Sequence, residues 1–499
     1  MPMNLIRDFV LLPLLLFSAT ATFTPQVLEA QTNPPIPLNR YKLANGLRVW
    51  HQYRPDSKSV IVYLVIQTGS RNETAFNNGI SHYVEHMLFT GTKRWTEEQV
   101  KDTITNIGGS WNGWTSKEQT AYYAQVADLD VEIALDWLSQ IVFHPTFPVE
   151  KVEKERHVVF QEKGGQYGWL INQLEAWGYG YNLSREVEKS LFPNATLTMT
   201  VIGEEESLKR IDRQMMLDYY KQYYNTENAD LIVVGNVEAS KLQPLATKYF
   251  GDLRSQGKRS TIVNTDSANQ GNNRVKVAGP MLNDQIRLTT GTQTVGYKHR
   301  DQWSLDVLAK MMDRDLTQEI RTKRGLVYSL FAFNSSYQDV GYFAVSTRSE
   351  EKHRDMILQL VDSYIENVRQ GKVDEKRLME AKTALIRSWS ISRESNGAIA
   401  GSLVGWSAIL ADTEPVPDYV AEIEKVSVQD LVRVVQTYFV PQRRFVGIHQ
   451  PAITLIFGLQ IAGVVVVIVG GWIFYRVWRR KHKQSNKIVG ADENTQPNL

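Results

Sequence analysis

The sequence predicts an α+β fold built from two homologous domains, each an antiparallel sheet covered by helices, followed by a C-terminal transmembrane helix. Three observations lead to this prediction. Strand-like apolar runs mix with long amphipathic helical stretches in both halves of the 499-residue chain. A helix-turn-strand pattern recurs further along the chain. Finally, an uncharged apolar run near the C-terminus is long enough to cross a bilayer.

The first 30 residues are typical of a secretory signal peptide. An apolar run, Phe9–Phe17, comes after Arg7, and small residues beyond it offer two cleavage points. The alternative is an uncleaved membrane anchor, but the run is shorter than the roughly 17–25 residues that a span needs. We therefore expect residues 1–30 to be removed and the rest of the protein to be exported.

The body of the chain divides into two similar halves at a polar segment. A helix end, a turn and a buried strand occur at Tyr219–Val237 and again at Val434–Ile448, about 215 residues later. Residues 255–273 lie between the halves and are rich in Ser, Asn, Gln and Gly, the composition of a flexible linker. We predict a first domain over residues 38–254 and a second over residues 274–450.

Within each half, short runs with strand character alternate with longer helical stretches. The strand-like runs are Val60–Gln67, Ala121–Val126, Leu231–Val234, Gln285–Thr290 and Gly341–Ser346. The helical stretches are Val149–Trp177, Asp355–Arg369 and Glu375–Arg393. This grouping favours an antiparallel sheet with helices packed on it.

The C-terminal region predicts a single membrane span over Ala452–Tyr475. This run contains no charged residue and reaches about 36 Å as a helix. Trp472, Tyr475 and Trp478 lie at its end, where an interfacial aromatic belt belongs. A cluster of Arg and Lys follows immediately, so the positive-inside rule places the basic tail, residues 476–499, in the cytoplasm. A buried core helix is the alternative, and it leaves the basic cluster unexplained. We therefore expect a body outside the cytoplasm, on the periplasmic face of the inner membrane if the source is bacterial.

Charge and cysteine content exclude several classes of function. The formal net charge is +2, and most of the positive excess lies in the C-terminal tail, so the body is almost neutral. A neutral body offers no electrostatic surface for nucleic acid, and we expect no nucleic-acid partner. The absence of cysteine excludes disulfides, thiolate nucleophiles and Cys-ligated metals. A metal site in this protein must therefore use His and carboxylate ligands.

His82, Glu85 and His86 form an H-x-x-E-H pattern in a segment with helical periodicity, which Asn78 or Ser81 is suited to cap. On a helix, positions i, i+3 and i+4 share one face. The two His side chains are then placed to bind one ion, while Glu85 takes a proton from water at the same spot. The pattern predicts a hydrolytic metal site.

A third ligand must come from elsewhere, because hydrolytic zinc sites commonly keep three protein ligands. Glu162 is the candidate, with Glu155 two turns earlier on the same face of the predicted helix. Lysines are interspersed among these acids. From the spacing alone, a solvated charged face is an equally good interpretation of both residues.

The segment Gly79–Lys93 closely resembles the signature of the insulinase (pitrilysin) family of zinc peptidases. The resemblance is to the two-domain, processing-peptidase-like members and implies a clamp-like arrangement of the domains. It implies one zinc ion per chain bound by His82, His86 and Glu162, with Glu85 as the catalytic base. It also implies that Glu155 is an auxiliary catalytic residue that tunes the ligands.

A second segment, Gly108–Thr115, resembles the active-site edge strand of the same family. The resemblance implies that Asn112 and Gly113 bind the main chain of the substrate. Gly113 stands where the family usually has Ala. A peptide bound along an edge strand must be extended, because its main-chain groups pair one by one with those of the strand.

A third segment, Ile320–Ser329, resembles the family's Arg/Tyr segment. The resemblance implies that Tyr328 stabilises the oxyanion and that Arg321 holds the substrate. The residues alone also predict a helix end at Gly325 followed by a strand. The two interpretations are compatible.

Taken with the two termini, the resemblance implies a membrane-anchored zinc endopeptidase that hydrolyses extended peptides or unfolded segments. It implies a homodimer, or a heterodimer with a homologous subunit. The alternative is a non-catalytic scaffold or core subunit of a membrane complex, since some relatives have that role. The complete set of site residues favours the peptidase.

Overall fold

The fold is described from a computed structural model. The structure describes residues 38–165, 183–193, 196–253, 255, 257–262, 273–279, 285–451 and 455–489. The predicted signal peptide, most of the predicted linker, the end of the helical stretch Val149–Trp177 and the last ten residues lie outside these ranges.

Two β-sheets form the framework of the described residues. The six-stranded sheet contains β1 (Asn39–Lys42), β2 (Arg48–Tyr53), β3 (Ser59–Ile66), β4 (Ser110–Thr115), β5 (Thr120–Ala127) and β6 (Ala229–Gly235), in the order β1-β2-β6-β3-β5-β4. The five-stranded sheet contains β7 (Asn273–Gly279), β8 (Gln285–Val295), β9 (Val327–Ser336), β10 (Val340–Glu350) and β11 (Arg444–Pro451), in the order β7-β11-β8-β10-β9. The predicted mixture of helices with two sheets is confirmed.

The two sheets share one topology once β1 is set aside. In each, the first strand lies beside the last, followed by the second, fourth and third. Each sheet is antiparallel except for one pair, β2 with β6 and β7 with β11, which run parallel. The predicted antiparallel arrangement is therefore wrong at these two pairs. The chain between the first and last strands of each half comprises almost the whole of that half. Such a long connection allows the two strands to lie parallel and adjacent.

Helices follow and separate the strands in both halves, and all except the last pack on the body. In the first half they are α1 (Ile80–Leu88), α2 (Glu97–Thr105), α3 (Val131–Phe143), α4 (Val149–Gly165), α5 (Leu183–Leu191), α6 (Glu205–Arg210), α7 (Arg213–Tyr223) and α8 (Ala239–Phe250). In the second half they are α9 (Asp301–Leu316), α10 (Arg354–Arg369), α11 (Glu375–Ser392), α12 (Asn396–Ile409), α13 (Tyr419–Lys425), α14 (Val428–Tyr438) and α15 (Leu455–Val489). The helix-to-strand repeat predicted from the sequence corresponds to α7 before β6 and α14 before β11.

Each half packs one helix on the sheet of the other. Helix α12 lies against β3 and β6, where Leu403 joins the apolar cluster that includes Ile232. Helix α5 lies on the second sheet, with Val187 beside Gly447. A Cβ at position 447 would lie 2.7 Å from the Val187 side chain, so glycine permits this close approach. The central strand β6 is buried along its whole length because both of its faces are covered.

Polar contacts also join the halves, since Arg48 and Arg259 both donate to the main-chain oxygen of Ser407 in the second half. The fully buried Asp230 accepts hydrogen bonds from Arg48, Trp50 and Gln67 of the first half. Arg259, from the segment predicted as a flexible linker, also donates to Asp230, at 3.0 Å. The part of that segment described by the structure is therefore anchored to the body rather than free. The domain boundaries themselves stay predictions.

A second polar contact lies close to helix α1. Arg71 is buried and forms ion pairs with Glu118 of the first half and Asp339 of the second, at 2.6 and 2.7 Å. Removal of one partner from such a buried pair leaves an uncompensated charge and costs about 3–5 kcal/mol. This ion-pair cluster therefore holds the second half against the segment that leads into α1.

Helix α15 follows the second sheet and differs from the other helices in its exposure. Its window Phe457–Arg480 has a mean hydropathy of 2.2, and 0% of it is buried in the body. The predicted span Ala452–Tyr475 overlaps this window, although residues 452–454 lie outside the described ranges. The helix continues past Tyr475 through the basic cluster to Val489. Length and composition make this helix a candidate membrane span.

Candidate metal centre

The H-x-x-E-H residues lie on α1, which begins in an unexpected way. Neither Asn78 nor Ser81 caps it; the N-cap is Gly79, with a left-handed φ of 95°. A Cβ at this position would lie 2.7 Å from the Cα of Gly203, so the close approach requires glycine. The capping prediction is wrong because the chain enters α1 through this left-handed turn.

Glu73 replaces the expected cap and was missed by the sequence reasoning. Its carboxylate accepts hydrogen bonds from the main-chain N–H groups of Gly79 and Ser81, at 2.7 and 2.8 Å, and from the Asn78 side chain. Burial raises the pKa of Glu73 to about 7, while these donors stabilise its charged form. An acid at this helix N-terminus also interacts favourably with the helix dipole. Glu73 thereby fixes the start of the helix that carries two of the candidate metal ligands.

Packing of α1 against α4 brings the third candidate ligand to the two histidines. The Tyr83 hydroxyl donates to the main-chain oxygen of Val152, which joins the two helices. The Nε2 atoms of His82 and His86 are 3.3 Å apart. Glu162 Oε2 is 3.5 Å from each of them. Three donor atoms from two helices thus form an almost equilateral triangle.

This triangle has the dimensions of a zinc site. With bonds of 2.0–2.1 Å, two ligands at neighbouring corners of a tetrahedron lie about 3.3–3.4 Å apart. The distances among His82, His86 and Glu162 match this spacing, and their donor set is two nitrogens and one oxygen. Within the described residues, these three form the cluster suited to hold a metal ion.

The protonation of the two histidines differs. Burial and the neighbouring His86 lower the pKa of His82 to about 4, which keeps its imidazole in the neutral form that binds metals. Burial also acts to lower the pKa of His86, but the carboxylates of Glu155, Glu85 and Glu162 outweigh it and raise that pKa. The concentration of carboxylates around two histidines favours a bound dication.

Glu155 contacts a ligand without occupying a corner of the triangle. Its Oε2 lies 3.4 Å from Nδ1 of His86, the ring nitrogen opposite the one that faces Glu162. Such a contact fixes the orientation and tautomer of a ligating imidazole. The auxiliary role that the resemblance implies for Glu155 stays a prediction.

Glu85 is buried between α1 and the edge strand β4. Burial raises its pKa to about 7, opposed by His86 and by a hydrogen bond of 2.9 Å that the Thr115 hydroxyl donates to Glu85 Oε2. A Cβ at Gly113 would lie 2.8 Å from Glu85 Oε1. The glycine at this position therefore leaves room for the Glu85 carboxylate, and Thr115, which the sequence reasoning did not single out, holds it.

The three candidate metal ligands line a cleft of about 520 Å³. One wall is β4, an edge strand of the first sheet, which carries Asn112 and Gly113. The Asn112 side chain is exposed and accepts a hydrogen bond from the Gly113 N–H at 2.9 Å. The aromatic rings of Phe89 and Trp111, which also line the cleft, lie 5.0 Å apart. Within the described part of the chain, an edge strand therefore runs beside the three candidate metal ligands.

Arg321 and Tyr328 lie together but outside this cleft. The Arg321 guanidinium is 5.8 Å from the centre of the Tyr328 ring, and the Tyr328 residue is 85% exposed. Arg321 lies in a π-helical turn after α9, and Tyr328 is the second residue of β9. The residues that line the cleft all fall between His82 and Ile202. Within one chain, the structure thus pairs the two residues with each other and not with the metal cluster.

Comparison with known proteins identifies the family. A family model described as insulinase (peptidase family M16) matches residues 48–167, and one described as peptidase M16 inactive domain matches residues 210–385. Together they span more than half of the chain. The chain belongs to the insulinase family. All three candidate ligands of this insulinase-family protein lie in the first match, and Arg321 and Tyr328 lie in the second.

Its relatives include proteins named as zinc proteases. It is 27% identical over 368 residues to the uncharacterized zinc protease YmxG of Bacillus subtilis, covering 72% of this chain and 86% of that protein. It is 29% identical over 324 residues to a probable mitochondrial-processing peptidase subunit beta of Arabidopsis thaliana, covering 61% of this chain and 58% of that protein. These relatives support a metallopeptidase.

The fold has close counterparts among solved structures. A protease from Helicobacter pylori superposes with a TM-score of 0.73 at 22% sequence identity, covering 83% of this chain and all of that one. The arrangement of helices with two sheets is thus shared with another protein over that protein's whole length.

Proposed function

We propose that the protein is a membrane-anchored zinc endopeptidase that hydrolyses extended peptide segments outside the cytoplasm. One observation carries this proposal: His82, His86 and Glu162 form a triangle with the spacing of zinc ligands, beside the buried carboxylate of Glu85. When bound there, zinc supplies Lewis acidity that activates water and polarises the substrate carbonyl.

Glu85 moves the protons of the reaction. As a base it removes a proton from the attacking water, and once protonated it donates that proton to the leaving amine as the C–N bond breaks. Burial raises the pKa of Glu85, which makes its carboxylate a stronger base. The Thr115 hydroxyl orients the carboxylate for both proton transfers.

The edge strand β4 binds the substrate main chain. Among the described strands, none pairs with its outer edge, so an extended peptide adds to it through main-chain hydrogen bonds. Asn112 and Gly113 are the residues of β4 that we assign to this contact. Only an extended segment matches the strand, so peptides and unfolded regions are substrates and folded domains are not.

The alternative function, a non-catalytic scaffold in a membrane complex, agrees with the name of the model that matches the second half, an inactive domain. The metal cluster lies in the first half, which matches the peptidase model. A scaffold has no need of a buried base beside three metal-binding side chains, and we therefore favour the enzyme.

Metal removal tests the peptidase directly. We expect the purified full-length protein in detergent to cleave members of a panel of internally quenched peptides. A strong chelator should abolish cleavage, and stoichiometric zinc should restore it, because the ligands can rebind the ion. The control is the same panel incubated with the chelator–zinc complex. No cleavage of any peptide by zinc-loaded protein would favour the scaffold.

We assign Tyr328 and Arg321 to a site completed by a second chain. Tyr328 donates its hydroxyl proton to the developing oxyanion, and Arg321 holds the substrate. Because these residues do not line the cleft of their own chain, a partner copy has to supply them. In a homodimer, each chain supplies these residues to the site of the other. In a heterodimer with a homologous subunit, one such shared site forms.

Mixed dimers test the shared site. We expect Glu85→Gln chains and Tyr328→Phe chains to be weakly active alone and to regain about half of the wild-type activity when co-expressed, because one of the two sites is then intact. The measurement is peptide hydrolysis by mixed dimers purified through two different tags. Activity equal to the mean of the two variant homodimers would show that each chain completes its own site.

A further inference from the structure

The membrane tether leaves the body from the second sheet. Strand β11 ends at Pro451, and the candidate span begins at Phe457. Six residue steps reach at most about 20 Å, even when the chain is fully extended. The headgroup layer on one side of a bilayer occupies about 5–7 Å of that distance. With α15 in a bilayer, the sheet end at Pro451 therefore lies close to the lipid headgroups.

The strand register shows what else lies at this end. Strands β11 and β10 both end here, while β8 and β9 both begin here. His449 of β11 pairs with Arg287 of β8, and Arg287 pairs with Arg348 of β10. The next residue of β10, Ser349, pairs with Val327 of β9. The first residues of β9 are therefore level with the last residues of β11.

Tyr328 directly follows Val327 and has the Arg321 guanidinium beside its ring. Three strand spacings of about 4.8 Å separate β9 from β11, so Tyr328 lies roughly 15 Å across the sheet from the tether. The Arg/Tyr pair and the membrane tether thus occupy the same end of the second sheet.

The surface at this end is charged. The exposed residues at this end of the second sheet include Arg348, Glu350, Glu351 and Lys352. Charged side chains are costly in the hydrocarbon core and are well solvated among headgroups. This composition fits a surface that contacts headgroups without entering the bilayer.

We propose that the end of the second sheet that carries Tyr328 and Arg321 faces the membrane surface, so that a peptide in contact with them is bound beside the lipid headgroups. This inference rests on the proposed membrane anchor. It narrows the substrate class to extended segments presented at the membrane surface, such as the stretch of a membrane-anchored chain that emerges from the bilayer.

Single-cysteine labelling tests the orientation, because the chain contains no cysteine. Lys352, whose side chain is 68% exposed, marks the proposed membrane-facing end. Arg300, 82% exposed, marks the other end, beyond the 11-residue strand β8 and about 34 Å away. Full-length Lys352→Cys and Arg300→Cys proteins carry the same fluorophore. Each is reconstituted in phosphatidylethanolamine–phosphatidylglycerol liposomes that contain a lipid with a nitroxide on its headgroup.

We expect the nitroxide to lower the fluorescence of the Lys352 label at least twofold and to leave the Arg300 label unchanged. Asp355→Cys, at a site with an 82% exposed side chain, provides a second label at the membrane-facing end should Lys352→Cys fail to fold. Chelator-sensitive peptide hydrolysis verifies the fold of each labelled protein. Equal quenching at both ends, or stronger quenching at Arg300, overturns the proposed orientation while leaving the anchor intact. Failure of the protein to float with the liposomes after an alkaline wash overturns the anchor, and the orientation with it.

Discussion

Replacement of Glu85 by Gln leaves zinc bound and lowers the turnover of peptides by about 10²–10⁴-fold. The amide keeps the size of the side chain and its place beside Thr115 and Gly113, but it cannot accept a proton from water. Since Glu85 is not a corner of the ligand triangle, metal affinity changes little. The measurement pairs steady-state hydrolysis of a quenched peptide with the zinc content of the same preparation.

The matched control is Glu98→Gln, an exposed acid on the neighbouring helix α2, which should keep both zinc and turnover. Turnover of the Glu85→Gln protein within about threefold of wild type would remove Glu85 from the role of base. Loss of zinc in that variant would instead assign Glu85 to the ligands.

Replacement of Glu162 by Gln should weaken zinc binding by more than about 100-fold, because loss of a direct ligand exceeds the 10–100-fold cost of losing an outer contact. The amide oxygen is neutral, so the site also loses a negative charge that attracts the ion. Peptide hydrolysis should fall in parallel and recover in part at high zinc concentration. Competition with a chelating dye measures the zinc affinity.

Glu153→Gln is the control for this variant. Glu153 lies on the same helix α4, has a side chain that is 77% exposed and pairs only with Arg156 among the described residues. Its replacement should leave zinc affinity unchanged. Full zinc content in the Glu162→Gln protein would show that the third ligand is another residue.

The sequence predicts the parts of the site that depend on local periodicity. His82, Glu85 and His86 share one face of a helix whatever the rest of the fold does, and the structure places them on one helix. Glu162 is 76 positions from His86 and is not fixed by periodicity. Its place depends on the packing of α1 against α4. The spacing alone left a solvated charged face as an equally good interpretation, and the family resemblance favoured a ligand.

Other features depend on contacts between segments that are distant in the chain. Glu73 reaches the start of α1 because the loop between them folds back, and no spacing rule relates an acid to a helix that begins seven residues later. The parallel pairs β2–β6 and β7–β11 also escape prediction, since they join the two ends of each half. The ion pair between Arg71 and Asp339 also escapes prediction, because it joins residues of different halves.

The most direct measurement is the anomalous scattering of crystals of the full-length protein on either side of the zinc absorption edge. We expect one zinc peak per chain, about 2.0–2.1 Å from Nε2 of His82, Nε2 of His86 and a carboxylate oxygen of Glu162. A zinc-supplemented crystal without a peak at this triangle, or with its peak on other residues, would contradict the zinc peptidase site.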